Sequence, residues 1–240
     1  MTNVINFITF AIKLKLKLIL NMSSNCRQCI IKRFNALKTL TPEELEKFSD
    51  HKTSIVIKKG DNLMTEGNSI NGLYCIKDGK GKMTKLNTNG KEQIIKFIKG
   101  GDILGHRSIL SDELVGLNAI ALEDMHVCFI PKGDILETIR ENNNFSLLIM
   151  KNISQQLNEA NASISQMAQK PVKDRLADTL VHLEDLFGVD NEGCIDVVLT
   201  REEIANTIGT ATESAIRLLS NLKKDGVIDL IGKKLSLIHI

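Results

Sequence analysis

The chain has 240 residues, 42% of them apolar and 25% charged, enough to bury one large or two moderate cores. A net charge of only +2 excludes a uniformly basic coating of nucleic acid, so any such binding must come from a local patch and from doubling of the chain. With no Trp, one Tyr and eight Phe, the aromatic platforms on which single strands stack are lacking, and five cysteines outside any small secreted framework point to a reduced, cytoplasmic protein.

Residues 1–21 interrupt their apolar positions with Lys13, Lys15 and Lys17, which excludes the apolar core of a signal peptide and the length of a membrane span. Ordinary soluble sequence begins at Met22, so residues 1–21 read as a non-native or disordered extension translated from an upstream start. An amphipathic segment on a membrane surface is the alternative.

Thr41 to Lys47 opens a short helix with Pro42 at its first position. From Ser54 to Pro131 short apolar stretches alternate with glycine turns. Strands are predicted at Ser54 to Lys58, Gly72 to Lys77, Lys80 to Leu86, Glu92 to Ile98, Ala119 to Leu122 and His126 to Ile130. Gly60-Asp61, Asp78-Gly79, Asn89-Gly90 and Gly101-Asp102 supply turns, and so many short strands imply a β-sandwich or barrel. A helix from Lys132 to Arg140 follows.

The next helix is long. Ile149, Ile153, Leu157, Ala160, Ile164 and Met167 advance by three and four residues, a narrow stripe suited to a parallel partner helix or to the β domain beneath it. Lys170-Pro171 ends it, and Pro171 opens another helix carrying Val172, Leu176, Leu180, Leu183 and Phe187.

Thr200 with Glu203, and Thr210 with Glu213, each fit a capping box, with Gly209 turning the chain between two helices. Ile204, Ala205 and Ile208 bury the first helix, and Ala215, Leu218, Leu219 and Leu222 the second. The opposite face presents Thr212, Glu213, Ile216, Arg217 and Ser220, where a carboxylate and a guanidinium one turn apart suit bases in a major groove. A packed helical hairpin with a surface ion pair has the same pattern. Predicted strands at Cys194 to Leu199, Val227 to Ile231 and Lys234 to Ile238, with a turn at Gly232-Lys233, make the pair a winged helix-turn-helix, whose Lys223, Lys224, Lys233 and Lys234 would flank phosphates. No Gly-rich phosphate loop, Ser-His-Asp order or His-Glu-x-x-His occurs, which disfavours an enzyme and leaves a pure interaction module as the other class.

In order, these parts resemble the family of the cyclic-AMP receptor protein and the fumarate-nitrate reduction regulator. The carriers are Gly60 to Gly67 with Glu66-Gly67, Gly72-Leu73-Tyr74-Cys75-Ile76 with Gly79, Gly101-Asp102-Ile103-Leu104-Gly105, Ala121-Leu122-Glu123, Arg175-Leu176-Ala177 and the helix of Glu213 to Arg217. The resemblance implies an α+β chain: a cyclic-nucleotide-binding-like β-barrel (double-stranded β-helix) over 22–141, a dimerisation helix over 142–169 and a winged helix-turn-helix over 170–240. It implies a homodimer on a palindromic site in double-stranded DNA, with RNA polymerase as a further partner if the output is activation, and no membrane. Glu213 and Arg217 fall on the positions that engage a G·C pair, Ile216 favours a thymine methyl, Thr212 stands where cyclic-AMP-type members have an Arg, and Thr200, Arg201, Thr210 and Ser214 are candidates for phosphate contacts.

Nucleotide-binding relatives carry a Glu for the ribose after Gly105 and an Arg with a small hydroxyl residue for the phosphate; here His106 and Val115-Gly116-Leu117 stand there, so cyclic AMP is not the expected effector. Gly105, His106, Arg107 and Ser108 form the candidate effector pocket, and His106 is a candidate haem ligand. Oxygen-sensing relatives hold an iron-sulfur cluster on four thiolates: Cys26 and Cys29 match the first two, Asn35 falls on the third and Cys128 matches the fourth. An oxygen or redox sensor using a cluster, a metal or haem is the alternative implied. Cys75 and Cys194 read as packed thiols, although Cys75 could fill the gap at Asn35.

Overall fold

The computed structural model describes residues 36–88, 90–232 and 234–237. Residues 1–35, with Cys26, Cys29 and Asn35, lie outside the described residues, as does Lys233. A 3-10 turn at Ala36–Thr39 leads into α1 (Pro42–His51), which starts on a complete capping box: the Thr41 hydroxyl accepts from the Glu44 N–H, and Glu44 Oε2 accepts from the Thr41 N–H at 2.7 Å. Leu45 and Phe48, three apart, bury its inner face.

Eight strands follow: β1 (Thr53–Ile57), β2 (Asn62–Met64), β3 (Gly72–Asp78), β4 (Lys80–Leu86), β5 (Glu92–Lys99), β6 (Ile103–Leu104), β7 (Asn118–Ala121) and β8 (Met125–Pro131), with the short helix α2 (His106–Ser111) between β6 and β7. They form two four-stranded antiparallel sheets, in the orders β1-β8-β3-β6 and β2-β7-β4-β5. Sequence alternation sets the faces. Ile76, Ile98, Leu104, Ala119, Ala121, Met125 and Val127 fill the space between the sheets, whereas Leu73, Cys75, Cys128 and Ile130 point from the first sheet toward helices.

Those helices are α1, α3 (Lys132–Glu141) and α4 (Asn143–Gln169). Phe145 and Ile149 of α4 sit in the same core as Leu37, Leu40 and Phe48. The stripe expected along α4 is divided between two faces. Ile149 is buried and Ile153 packs against the barrel core, but Leu157 and Ile164 are exposed, on an outer face that they share with Leu147 and Met150. The expected seat on the barrel is occupied by the first turns alone, because 27 residues of helix outrun the barrel, and the outer face is left open.

Lys170 and Pro171 lead into α5 (Val172–Phe187). A helix-turn-helix of α6 (Arg201–Ile208) and α7 (Thr212–Lys224) follows, then a hairpin of β9 (Ile228–Ile231) and β10 (Lys234–Leu237) in antiparallel register. The strand expected at Cys194 to Leu199 is reduced to one bridge, Val189 to Ile195, and one bond from the Ile195 N–H to the Leu235 carbonyl at 2.7 Å. Among the described residues no helix is long and apolar enough to cross a membrane.

Candidate nucleic-acid interface and sensor cavity

The first of the two expected capping boxes forms and the second does not. Thr200 caps α6, its hydroxyl accepting from the Glu203 N–H at 3.1 Å while Glu203 Oε2 accepts from the Thr200 N–H at 2.8 Å. Gly209 then takes the left-handed conformation, φ 64°, that closes α6. The Thr210 N–H is spent on the Ala205 carbonyl at 3.0 Å in that turn, so the next helix begins two residues later with Ala211 as its N-cap and no side-chain cap. Thr210 is therefore a turn residue.

On α7, Ala215, Leu219 and Leu222 are buried and Leu218 half-buried, in one core with Leu176, Leu180, Leu183, Ile204, Ala205 and Ile208. Glu213, Ile216, Arg217 and Ser220 are exposed together on the other face, and Ile216 keeps 45% of its surface open to solvent. Thr212 and Ser214 are half-exposed at the start of the helix. Arg201 is half-buried, and its Nη1 is buried without a hydrogen-bond partner among the described residues. Of the flanking lysines, Lys224 is exposed, but Lys223 pairs with Asp229 at 2.8 Å and Lys234 is clamped by Asp190 and Glu192 at 2.7 and 2.8 Å, which raises its pKa. Lys234 thus braces the wing and is not displayed for a phosphate.

The reading domain is docked on the barrel. Ile94 and Phe97 of β5 enter the core of the helix-turn-helix, and Phe97 meets Phe187 edge-on at 6.0 Å. Around them Lys99 Nζ donates to the Leu186 carbonyl at 2.6 Å, Gln93 to Thr207 at 3.3 Å and Lys91 to Thr210 at 3.1 Å. Lys82 of β4 reaches Glu203 Oε1 at 3.0 Å and Glu92 Oε2 at 3.1 Å. Arg175 bolts the hinge, its guanidinium donating to the carbonyls of Met167, Lys170 and Ile208, each at 3.0 Å. None of these long-range polar contacts has a local signal in the sequence.

A second polar site lies where α2 meets α4. Lys96, Asp102, His106, Asn152, Gln156 and Glu159 line a cavity of about 210 Å³. Gly105 precedes α2 with φ 93°, and a Cβ there would lie 2.6 Å from Ile70 Cδ1, so only glycine lets the chain bring His106 inward. His106 is 8% exposed and its Nε2 has no hydrogen-bond partner among the described residues. Burial, with Lys96 nearby, pulls its pKa down to about 4 against contacts from Gln156 and Ile103, so the ring is neutral at pH 7. Burial raises the pKa of Asp102. Of the other two residues expected in the pocket, Ser108 is half-buried and turned to the Leu114 carbonyl, and Arg107 is exposed.

The cyclic nucleotide-binding domain family matches residues 54–142, and the Crp-like helix-turn-helix domain family matches residues 174–240. The chain belongs to the Crp/Fnr family of transcriptional regulators. It is a DNA-binding regulator and not an enzyme. Among its relatives, the anaerobic regulatory protein of Bacillus subtilis is 29% identical over 72% of this chain and 74% of its own. The fumarate and nitrate reduction regulatory protein of Vibrio cholerae is 27% identical over 90% of this chain and 87% of its own. The c-di-GMP responsive global regulator CLP of Xanthomonas campestris has the same fold, with a TM-score of 0.73 at 17% identity, covering 83% of this chain and all of that one.

Val115, where the resemblance leads one to expect the phosphate-binding Arg of cyclic-nucleotide relatives, is 4% exposed in the barrel core. The cavity at His106 is smaller than the roughly 300 Å³ from which drug-sized ligand pockets start, and it does not fit a haem. Cys128 and Cys75 are buried thiols, two where an iron-sulfur cluster takes four, so the described residues do not by themselves hold one. The one group of three metal-ligating types among the described residues, Asp190, Glu192 and Cys194, already has the Lys234 ammonium against its carboxylates.

One prediction concerns His106 itself. Its folded pKa lies below the ordinary 6.5, so the unfolded chain binds the proton first: stability is full above pH 6.5 and falls as pH drops toward 4, by on the order of 3 kcal/mol in all. His106→Gln is expected to flatten that part of the profile. Urea midpoints at pH 7 and pH 5 that shift equally in wild type and variant would remove the buried neutral imidazole from the account.

Proposed function

We propose that this regulator acts in the cytoplasm as a homodimer, with a sensor domain over residues 22–141, a dimer helix over 142–169 and a reading domain over 170–240. The observation that carries the reading is the joint display of Glu213, Ile216 and Arg217 on one open face of α7, which a groove-reading helix needs and a packed hairpin does not. Arg217 grips guanine, Glu213 accepts from cytosine and Ile216 packs on a thymine methyl beside Thr212, while the side chains of Thr200, Arg201, Thr210 and Ser214 set register on phosphates. The target is a two-fold symmetric site of about 14 to 22 base pairs with half-sites one helical turn apart. RNA polymerase is the added partner where the output is activation.

The effector is not cyclic AMP. Neutral His106 beside Lys96, Asn152 and Gln156 favours a small polar ligand of a few heavy atoms, held between the barrel and the dimer helix.

Selection from random-sequence duplexes tests the output: enrichment of a palindrome supports it, and no enrichment at low salt leaves an interaction module. Arg217→Ala is expected to weaken the enriched site by about 1 to 3 kcal/mol and to relax the preference for guanine at one position in each half-site. Equal weakening on every sequence would reassign Arg217 to a phosphate contact.

A further inference from the structure

Cys75 and Cys128 stand directly opposite each other on neighbouring strands, β3 and β8. Their side chains share a face, since Leu73, Cys75, Cys128 and Ile130 all belong to the core beneath α1 and α4, whereas Ile76 and Val127 belong to the core between the sheets. The ladder fixes their spacing. The Ile76 N–H donates to the Asp102 carbonyl and the Gly101 N–H to the Ile76 carbonyl, at 2.9 and 2.8 Å, so Ile76 turns its peptide groups toward β6 and Cys75, one residue earlier, turns its own toward Cys128. Residues opposed in this way have Cα atoms about 5.5 Å apart. That lies inside the roughly 4.4 to 6.8 Å that disulfides span, but the Cβ atoms must still close to about 3.8 Å. A bond made there is strained, and strained disulfides are the ones most readily reduced again.

We propose that Cys75 and Cys128 form a reversible redox dithiol, closed by a peroxide and reopened by a dithiol reductant. Cys128, 8% exposed against 1% for Cys75, is the first to react. Its thiolate attacks one peroxide oxygen, forming an S–O bond as the O–O bond breaks, and the departing hydroxide takes a proton to become water. The Cys75 sulfur then displaces hydroxide from that sulfenic acid, forming the S–S bond and releasing, with the Cys75 proton, a second water. Two thiols are oxidised and one peroxide becomes two waters. The bond pulls β3 and β8 together under Phe145 and Ile149, the two residues that seat α4 on the barrel, which couples the thiols to the helix bearing the outer seam.

The test uses the full-length protein, reduced and then treated with hydrogen peroxide, denatured in an alkylating agent and digested without reduction. A peptide joining Cys75 to Cys128, two hydrogens lighter than its reduced halves and abolished by dithiothreitol, is expected from the wild type and not from Cys75→Ala. Quantitative alkylation of both thiols after peroxide overturns the proposal, as does recovery of Cys128 joined to Cys26 or Cys29. The wild-type map decides the question alone if the variant does not fold.

Discussion

Leu157→Lys is expected to leave each protomer folded and to turn the protein into a monomer that binds its palindromic site at least about 100-fold more weakly than the wild type. The reason is geometric. Leu147, Met150, Leu157 and Ile164 are 60, 55, 60 and 68% exposed on the outer face of α4, in the three- and four-residue spacing of a two-stranded seam. A stripe of that kind costs nothing to the fold of one chain when charged, yet an ammonium facing its own copy across the axis breaks the pair. Two reading helices joined in one dimer turn the second half-site into an intramolecular encounter, and that advantage is lost on dissociation. Ser154 and Asn161 continue the same spacing, so polar groups interrupt the seam where they fix register at some cost in affinity. Sedimentation and fluorescence anisotropy on a labelled operator check the outcome together. A dimeric Leu157→Lys protein with unchanged affinity would show that the seam lies elsewhere.

Features encoded within one turn of chain were legible from the sequence. Thr200 with Glu203, Gly209 as the left-handed stop, Pro42 at a helix start and the alternating strands of the barrel each depend on neighbours within four residues. Features that depend on competition between neighbours were not. Thr210 and Glu213 carry the residues of a capping box, but the Thr210 N–H closes the preceding helix, and a group spent there cannot help to start the next one. Periodicity put Ile149, Ile153, Leu157 and Ile164 in one stripe, passed over Leu147 and Met150, and did not distinguish the barrel side from the outer side, because the drift of a straight helix carries one stripe across two faces. The site residues divide the same way. The exposed face of α7 followed from spacing, whereas the cavity at His106 needed Gln156 and Glu159 from a helix some fifty residues on. Lys82 gave no signal at all, as a lysine in an alternating strand reads as the solvated face.

Lys82→Met is the change expected to loosen the reading domain most. The Lys82 side chain is only 10% exposed, and its ammonium lies 3.1 Å from Glu92 and 3.0 Å from Glu203, whose side chains are 26 and 16% exposed. Burial opposes the charge on Lys82, but Glu203 and then Glu92 outweigh it and raise the pKa; burial likewise opposes ionisation of Glu203, but bonds from Thr200 and Lys82 win and lower it. Glu203 therefore closes the cap of α6 and anchors that helix to the barrel with the same carboxylate. Methionine fills the space of the lysine stem but leaves two shielded carboxylates facing each other, a loss of about 3 kcal/mol by the usual cost of breaking such a pair. Adding Glu203→Gln and Glu92→Gln removes the stranded charges, so the triple variant is expected to be less destabilised than the single one. The docking has a pH window of the same origin: the Glu203 contribution is present above its ordinary 4.5 and lost as pH falls through its lowered pKa, and the Lys82 contribution is present below its ordinary 10.5 and lost as pH rises through its raised pKa. Hydrogen exchange reads the consequence directly, with faster exchange in α6, β4 and β5 of Lys82→Met and protease cleavage near Lys170 and Pro171. Unchanged protection in all three elements would mean that Ile94 and Phe97, whose side chains already enter the core of the reading domain, hold the two parts together without the ion triad.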